Sequence, residues 1–241
     1  QITCSKQLRN GNFLVAGYVV DKVNPDGVFS YTDIHRFFIA KIDMVGHVLE
    51  YNYYYFNGCD YSIAFLDEME ELSNGEIILV GTANKYKYYK TWDHSKIFVT
   101  KLDTKFNVVW SNTYELNEKY QFSNFGCSIR ETPGSNLLVV AGDYHIDLLK
   151  LTNDGDIIWA EHTGDTSKYE PRSSKNYFSD FIKTKNNEYF ISSSLWNFGF
   201  IFITNLLNAE ITACDAGGSA CSIRTKCDAE SHTCIKQTVN V

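Results

Sequence analysis

The sequence predicts an all-β fold built from four copies of one unit. Aromatic residues make up 15% of the 241 residues, with 16 Tyr and 16 Phe. That composition favours sheets, because aromatic and β-branched side chains pack well on a pleated surface. Apolar runs of strand length recur between tight-turn dipeptides, and the clearest set spans residues 133–164. The recurrence of one unit along the chain indicates that the whole fold is made by repetition.

Each copy consists of strand, tight turn, apolar strand, loop, strand, tight turn and strand. The first copy contains CSKQLRNGNFLVAGY, RFFIAKID and GHVLEYN. The second contains EMEELSNGEIILVGT, KIFVTKLD and FNVVWSN, and the third contains CSIRETPGSNLLVVAGD, IDLLKLT and GDIIWAE. The fourth, SDFIKTKNNEYFISSS with FGFIFITN and AEITA, departs from the others at the Gly, Lys and Trp positions.

The turn residues predict tight hairpins, with turns of two to four residues, within each copy. Asn-Gly and Asp-Gly dipeptides supply the positive backbone angles that two-residue hairpins require. They occur at Asn10-Gly11, Asn74-Gly75 and Asp154-Gly155. A glycine is expected to end the second strand of three copies, where close backbone approach is needed; these are Gly17, Gly81 and Gly142. Aligning the copies by their cysteines places Cys4 and Cys127 at one repeat position.

Four-stranded antiparallel units in series predict a β-propeller. The repeat, with its apolar strand ending in Gly, its Lys-Leu-Asp segment and its Gly-x-apolar-apolar-Trp strand, resembles the repeats of secreted β-propeller proteins of bacteria and protists. The resemblance covers residues 1–213, with blades at about 1–57, 58–124, 125–175 and 176–213, and a cysteine-rich tail at 214–241. It implies blade architecture and no particular activity. A ring closed by four blades is the favoured arrangement; half of a two-chain ring, a segment of a larger propeller and an open array are the alternatives.

Composition indicates which classes of partner and which cellular compartment to expect. The formal net charge of −7 argues against nucleic acid, whose phosphates reward basic surfaces. No apolar run reaches the roughly 20 residues that span a bilayer. The chain begins with Gln1 and shows no signal peptide, which suggests a processed protein or a piece of a longer one. Seven cysteines predict an oxidising compartment, so we expect a secreted or cell-surface location.

The long second-to-third connections and the connections between blades are expected on one face, where partners would bind. The most unusual of these segments is residues 85–94, in which Tyr alternates with Lys and is followed by Trp, Asp and His. Aromatic faces beside charged groups suit sugar rings; a long hairpin with mutually packed Tyr is the alternative. The candidate ligand-binding residues are Tyr86, Tyr88, Tyr89, Trp92 and His94.

Catalytic and metal motifs are weak in this sequence. The acidic run of Asp67, Glu68, Glu70 and Glu71 would need a buried carboxylate pair to act as acid and base, and a solvated segment is the expected reading. Residues 21–27 resemble a calcium loop out of register and are expected to form a plain turn. Residues 152–159 resemble the Asp-box turn of sialidases but lack one residue of it. We therefore expect no catalytic residue, no metal site and no cofactor.

The tail and the odd cysteine count predict disulfides. Four cysteines lie within the last 28 residues without the paired Cys-x-x-Cys spacing that zinc favours, so a disulfide-stapled knob is expected. The candidate disulfide residues are Cys4, Cys59, Cys127, Cys214, Cys221, Cys227 and Cys234. A bond between Cys4 and Cys214 would clasp the first blade to the post-blade segment. The last four residues, 238–241, are expected either to fray or to add to a sheet edge.

Together these features predict a non-enzymatic extracellular binding or structural module that presents long loops on one face. The expected partners are other protein subunits or further copies of the chain, joined through edge strands. The alternative is a carbohydrate-binding propeller of lectin type or, less favoured, a hydrolase that acts on glycans. Neither nucleic acid nor a transmembrane segment is expected.

Overall fold

A computed structural model describes residues 1–20, 35–54, 63–87, 91–115, 126–142, 146–163, 177–183, 189–195, 198–204 and 235–238. In this part of the chain all regular structure is β, as the sequence predicts. Within the same ranges there is no helix long and apolar enough to cross a membrane.

The strands form antiparallel sheets in sequence order. The first sheet contains β1 (Ile2–Gln7), β2 (Phe13–Val20), β3 (His35–Ile42) and β4 (Val48–Tyr54). The second contains β5 (Ile63–Glu71), β6 (Ile77–Lys87), β7 (Thr91–Leu102) and β8 (Val108–Glu115). The third contains β9 (Gly126–Glu131), β10 (Leu137–Gly142), β11 (Ile146–Leu151) and β12 (Ile157–Thr163). The fourth contains β13 (Tyr177–Lys183), β14 (Tyr189–Leu195) and β15 (Phe198–Thr204). The four predicted repeat units are thus four sheets.

A C-terminal strand, β16 (Ile235–Thr238), does not belong to this series. It pairs antiparallel with β8 and so becomes the fifth strand of the second sheet. The terminal segment therefore adds to a sheet edge at Thr238, whereas residues 239–241 lie outside the described residues.

The tight hairpins have three-residue loops, which lie within the expected two to four residues but differ from the two-residue turns that Asn-Gly dipeptides favour. In the first hairpin the Leu8 amide donates to the Asn12 carbonyl at 2.8 Å, and the Gly11 amide donates to the Leu8 carbonyl at 2.9 Å. Only the third loop residue, Gly11, has a positive φ, of 87°. This is the common turn in which a type I bend is followed by a left-handed residue. The same pair of hydrogen bonds closes six hairpins, in the first three sheets.

The turn geometry also corrects the repeat alignment of the third sheet by one residue. Its first turn closes between Thr132 and Asn136, with Ser135 at the position of the glycine in the other two. Counting back from the turn, Ser128 rather than Cys127 matches Cys4. Counting forward, Ala141 rather than Gly142 matches the strand-ending glycines of the other two sheets. The cysteine-based alignment is shifted because the sequence alone does not reveal where this turn ends.

Successive sheets pack face to face. One core cluster joins the first and second sheets and includes Leu14, Phe37, Leu79 and Phe98. A second cluster joins the second and third sheets. The first strands also follow one another, because β1 contacts β5, β5 contacts β9 and β9 contacts β13. The fold is therefore a series of stacked sheets whose first strands are neighbours along one side.

Candidate functional site

A cluster of charged residues lies where β5 meets β9. The Glu68 carboxylate accepts hydrogen bonds from the Ser128 hydroxyl and, at 3.2 Å, from the Ile129 amide. Its other oxygen pairs with the Arg130 guanidinium. The same guanidinium lies 3.5 Å from the Glu70 carboxylate. These contacts use the Glu68 charge to hold the second sheet to the third.

Beside this cluster, Asp67 contacts the thiol of Cys127. The Thr82 hydroxyl donates to the Asp67 carboxyl at 3.4 Å and lies 3.8 Å from the Cys127 sulfur. Burial raises the pKa of Asp67 to about 8, more than hydrogen bonds from Cys127 and Thr82 lower it. Burial also raises the pKa of Cys127 well above that of an ordinary thiol. Burial therefore favours the protonated Asp67 carboxyl over the carboxylate, and the Cys127 thiol over a nucleophilic thiolate.

The expectation that the acidic run is solvated is wrong for these residues. Asp67 is desolvated, and the side chains of Glu68 and Glu70 are only 24% and 18% exposed. Burial raises the pKa of Glu70 as well. The acidic run lies on β5, where successive side chains point to opposite faces of the sheet. β5 is packed between the first strands of the neighbouring sheets, β1 and β9. Sequence gives its charge but not the neighbouring strands that cover it.

A buried tyrosine on the fourth strand of one sheet bonds to a turn of the next sheet. The Tyr54 hydroxyl donates to the Phe106 carbonyl at 2.6 Å, and the Tyr114 hydroxyl donates to the Gly155 carbonyl at 2.7 Å. The two tyrosines occupy the same repeat position, and so do the two acceptors. Burial raises the pKa of both hydroxyls, which keeps them protonated as donors. We call this contact the tyrosine clamp.

A second contact of this kind joins the first hairpin of each sheet to the next. The Arg9 amide donates to the Glu71 carboxylate at 2.8 Å, and the Ser73 amide donates to the Glu131 carboxylate at 2.6 Å. Arg9 and Ser73 occupy the same turn position, and both acceptors end a first strand. We call this contact the glutamate clamp.

A buried lysine strengthens the junction between the second and third sheets. Lys101 is 3% exposed, and its ammonium lies 2.6 Å from the Glu76 carboxylate and 3.0 Å from the Asn153 side-chain oxygen. The Trp110 indole donates to the Asn153 carbonyl at 3.0 Å. Asn153 belongs to the last hairpin of the third sheet, so Lys101 and Trp110 hold that hairpin from the second sheet.

Both clamps change at the junction between the third and fourth sheets. Strand register places Thr163 at the position of Tyr54 and Tyr114, so the long phenol is missing there. Pro133 stands at the position of Arg9 and Ser73 and has no amide hydrogen to donate. The junction that leads to the fourth sheet therefore differs chemically from the two before it.

The predicted aromatic loop forms the end of a long hairpin. β6 runs to Lys87 and β7 begins at Thr91, and Tyr86 pairs with Trp92 while Lys85 pairs with His94. The backbone thus takes the hairpin alternative, with Tyr86, Trp92 and His94 near its tip. Tyr88 and Tyr89 lie outside the described residues.

The other predicted sites fall into two groups. The turn within residues 152–159 is an ordinary three-residue hairpin whose Thr152 hydroxyl accepts from the Asp156 amide at 3.0 Å. Residues 21–27 lie outside the described residues, as do Cys59, Cys214, Cys221, Cys227 and Cys234. Cys4 and Cys127 are free thiols, and the proposed Cys4–Cys214 clasp stays a prediction because Cys214 lies outside the described residues. Over the described part of the chain, no group of three or more His, Cys, Asp or Glu could hold a metal ion.

Sequence reasoning missed both clamps. A signal for the tyrosine clamp was present, because Asn-Tyr-Tyr in the first copy and Asn-Thr-Tyr in the second place Asn52 and Tyr54 against Asn112 and Tyr114. The pattern does not reveal that the hydroxyl crosses to the next sheet, because that depends on how the sheets stack.

No protein family matches this chain, and no curated protein matches it. Among solved structures, the crystal structure of a protein of unknown function from Bacteroides caccae is similar to it, with a TM-score of 0.37 and 14% sequence identity. The match covers 69% of this chain and 53% of the other, so the chain spans about half the length of that protein.

Proposed function

We propose that the chain is a β-propeller scaffold that acts by binding, as a module of an extracellular assembly. The observation that carries the proposal is the repetition of the same polar clamps at successive sheet junctions. A repeated junction with repeated contacts turns each sheet relative to the last by a similar rotation, which is the geometry of propeller blades. The first strands β1, β5, β9 and β13 would then surround the axis.

A binding role is supported by how the reactive groups are used. Glu68 is neutralised by Arg130, and Asp67 is held protonated beside a buried thiol. Acid and base catalysis needs groups that exchange protons with a substrate, whereas these groups join strands to one another. The charged and polar residues where β5 meets β9 therefore stabilise the packing of the sheets.

The partner-binding face would be the one with the long connections. All six short hairpins of the first three sheets lie at the opposite end of the strands. The long hairpin of β6 and β7 extends from the long-connection end, and Lys85 and Lys87 lie in it close to its tip. Loops held by a rigid scaffold are the usual site of binding.

Cross-linking of the native assembly with an amine-reactive reagent, followed by mass spectrometry, tests this proposal. We expect links to other proteins from Lys85 and Lys87 and none from Lys105, an exposed lysine of a short hairpin. Links to partners from Lys105 alone, or a native particle that contains a single chain and nothing else, would refute it.

A lectin-like propeller is the second candidate. Its support is the pairing of Tyr86 with Trp92 at the hairpin tip, with His94 two positions along β7. A glycan array tests it directly: reproducible hits that disappear in a Trp92→Ala variant would favour a lectin, and an array without hits would eliminate it. Val109→Ala, which changes an exposed residue of β8 next to a short hairpin, is the matched control.

A further inference from the structure

The first sheet has one covered face and one open face. Leu14, Phe37 and Ile39 are buried against the second sheet. The opposite face carries Phe13 on β2 and Tyr51 and Tyr53 on β4, which are 37%, 64% and 49% exposed. With Ile2, which is 63% exposed, these residues form what we call the open face.

Equivalent positions in the second sheet are buried against the first sheet. Ile77 of the second sheet corresponds to Phe13 and is 3% exposed. Ser111 corresponds to Tyr51 and is 2% exposed, and Thr113 corresponds to Tyr53 and is fully buried. The junction between the first and second sheets therefore covers, on the second sheet, the face that the first sheet leaves open.

The open face also carries the acceptor of a tyrosine clamp. Gly46 occupies the turn position of Phe106 and Gly155, whose carbonyls accept the hydroxyls of Tyr54 and Tyr114. In the described structure no tyrosine reaches the Gly46 carbonyl, and the space next to Gly46 is open. The first sheet thus keeps the turn geometry of a junction that is not formed.

The fourth sheet is at the other end of the series. β13 contacts β9 and β10, which places this sheet beside the third and not on the open face. By strand register Phe190, Ile201 and Ile203 occupy the positions of Ile78, Val99 and Lys101, which face the next sheet in the series. The fourth sheet therefore continues the apolar pattern, and replaces the buried lysine by isoleucine.

Single positions at the two ends also differ in side-chain volume from their counterparts in the second sheet. Relative to the second sheet, the open face has Tyr51 in place of Ser111, a gain in volume. By the same register, Ser192 and Gly199 of the fourth sheet stand in place of Val80 and Ile97, a loss in volume.

We propose that the open face of the first sheet binds the fourth sheet of a second copy of this chain, head to tail. The contact rests on the proposed propeller function and continues its sheet junctions across two chains. Two such contacts close a two-fold ring, because the surfaces at the two ends of one chain then each meet the other chain. Edge-strand pairing is not needed for this association, since sheet faces and not strand edges meet.

A photo-reactive amino acid in place of Tyr53 tests the contact. A ¹⁴N batch and a ¹⁵N batch of this variant are mixed, irradiated, digested and analysed by mass spectrometry. A cross-link that joins a ¹⁴N peptide to a ¹⁵N peptide connects two copies, and so differs from a link within one copy. We expect mixed-isotope links to peptides from residues 189–204. Links within one copy, links between two first sheets, or no links to this segment would overturn the proposal.

A charge placed on the open face gives a second, independent test. Tyr51→Lys is expected to raise the dimer dissociation constant by about tenfold or more, because a lysine cannot be buried there without a partner. Val45→Lys is the control: Val45 is exposed in a hairpin turn, and lysine occurs naturally at the same position in Lys105. Sedimentation at several concentrations, with a melting curve to show that both variants fold, measures the effect. Equal dissociation constants for the two variants, or a monomer throughout, would overturn the proposal.

These results separate this inference from the proposed function. A monomeric protein whose native cross-links still run from Lys85 and Lys87 would overturn the head-to-tail contact and leave the binding module standing. A dimer that is cross-linked through residues 189–204, but whose native partners do not bind at the long-connection face, would overturn the proposed binding face and leave the head-to-tail contact standing.

Discussion

The tyrosine clamp predicts a specific loss of stability when one oxygen atom is removed. In Tyr114→Phe the ring remains, but the Gly155 carbonyl loses its hydrogen-bond donor and the Asn112 amide loses a partner at 3.3 Å. Tyr114 is 1% exposed, so water cannot replace the hydroxyl. Leaving buried polar groups unsatisfied costs about 1–3 kcal/mol, and with two groups affected we expect a loss of about 2 kcal/mol in the free energy of unfolding.

The equivalent change in the first clamp is expected to be milder. In Tyr54→Phe the Phe106 carbonyl keeps a second donor, because the Asn52 side-chain amide lies 3.4 Å from it. The expected loss is therefore about 1 kcal/mol, the typical net contribution of one hydrogen bond. Tyr53→Phe is the matched control, since Tyr53 is adjacent in sequence but half exposed, and a change there is expected to stay within about 0.5 kcal/mol.

Urea denaturation followed by tyrosine or tryptophan fluorescence measures these differences. With a slope of ~3 kcal/mol/M, the midpoint is expected to fall by about 0.7 M for Tyr114→Phe and by about 0.3 M for Tyr54→Phe. If Tyr114→Phe shifts the midpoint no further than Tyr53→Phe, the hydroxyl does not hold the two sheets together, and the reasoning from the clamp is refuted.

Three further predictions concern single buried sites. Asp67→Asn should become more stable relative to the parent protein as pH rises. The folded-state pKa of about 8 exceeds the ordinary 3.8, so the folded parent retains a proton that its unfolded chain has lost, and its free energy of unfolding falls by up to ~1.4 kcal/mol per pH unit between those values. Parallel curves of unfolding free energy against pH from 4 to 9 would contradict this. Gly81→Ala should lose about 2–3 kcal/mol by thermal melting, because the new methyl group collides with a backbone carbonyl of β5 and with an aromatic ring. Gly134→Ala, at a φ of 83° with open space around it, should lose only about 1 kcal/mol, and equal losses would refute the steric explanation. Lys101→Met should cost about 2–3 kcal/mol in urea denaturation, since Glu76 loses its ion-pair partner; an unchanged midpoint would show that the buried pair contributes no net stability.

The sequence predicted the sheets better than their junctions. Strand order and hairpin positions follow from apolar runs and turn dipeptides, which are local in sequence. The loop length was predicted only as a range, because Asn10-Gly11 suits both a two-residue turn and the final two residues of a three-residue loop. The one-residue shift at Ser135 was missed for the same reason, since a serine in the left-handed region leaves no clear sequence signal.

The candidate site depended on contacts between residues far apart in sequence. Glu68 and Arg130 are separated by 62 positions, and the charge of one says nothing about the presence of the other. The burial of Asp67 likewise follows from the packing of β5 against β9, which only the structure supplies. In contrast, Tyr86 and Trp92 were recognisable from the sequence because their segment is unusual by itself, and the structure adds their pairing across a hairpin.

Single-particle imaging of the native assembly tests the propeller scaffold most directly. We expect a ring of radially arranged four-stranded sheets, with β1, β5, β9 and β13 nearest the axis and two chains joined head to tail. A flat or open stack of sheets with no common axis would contradict it.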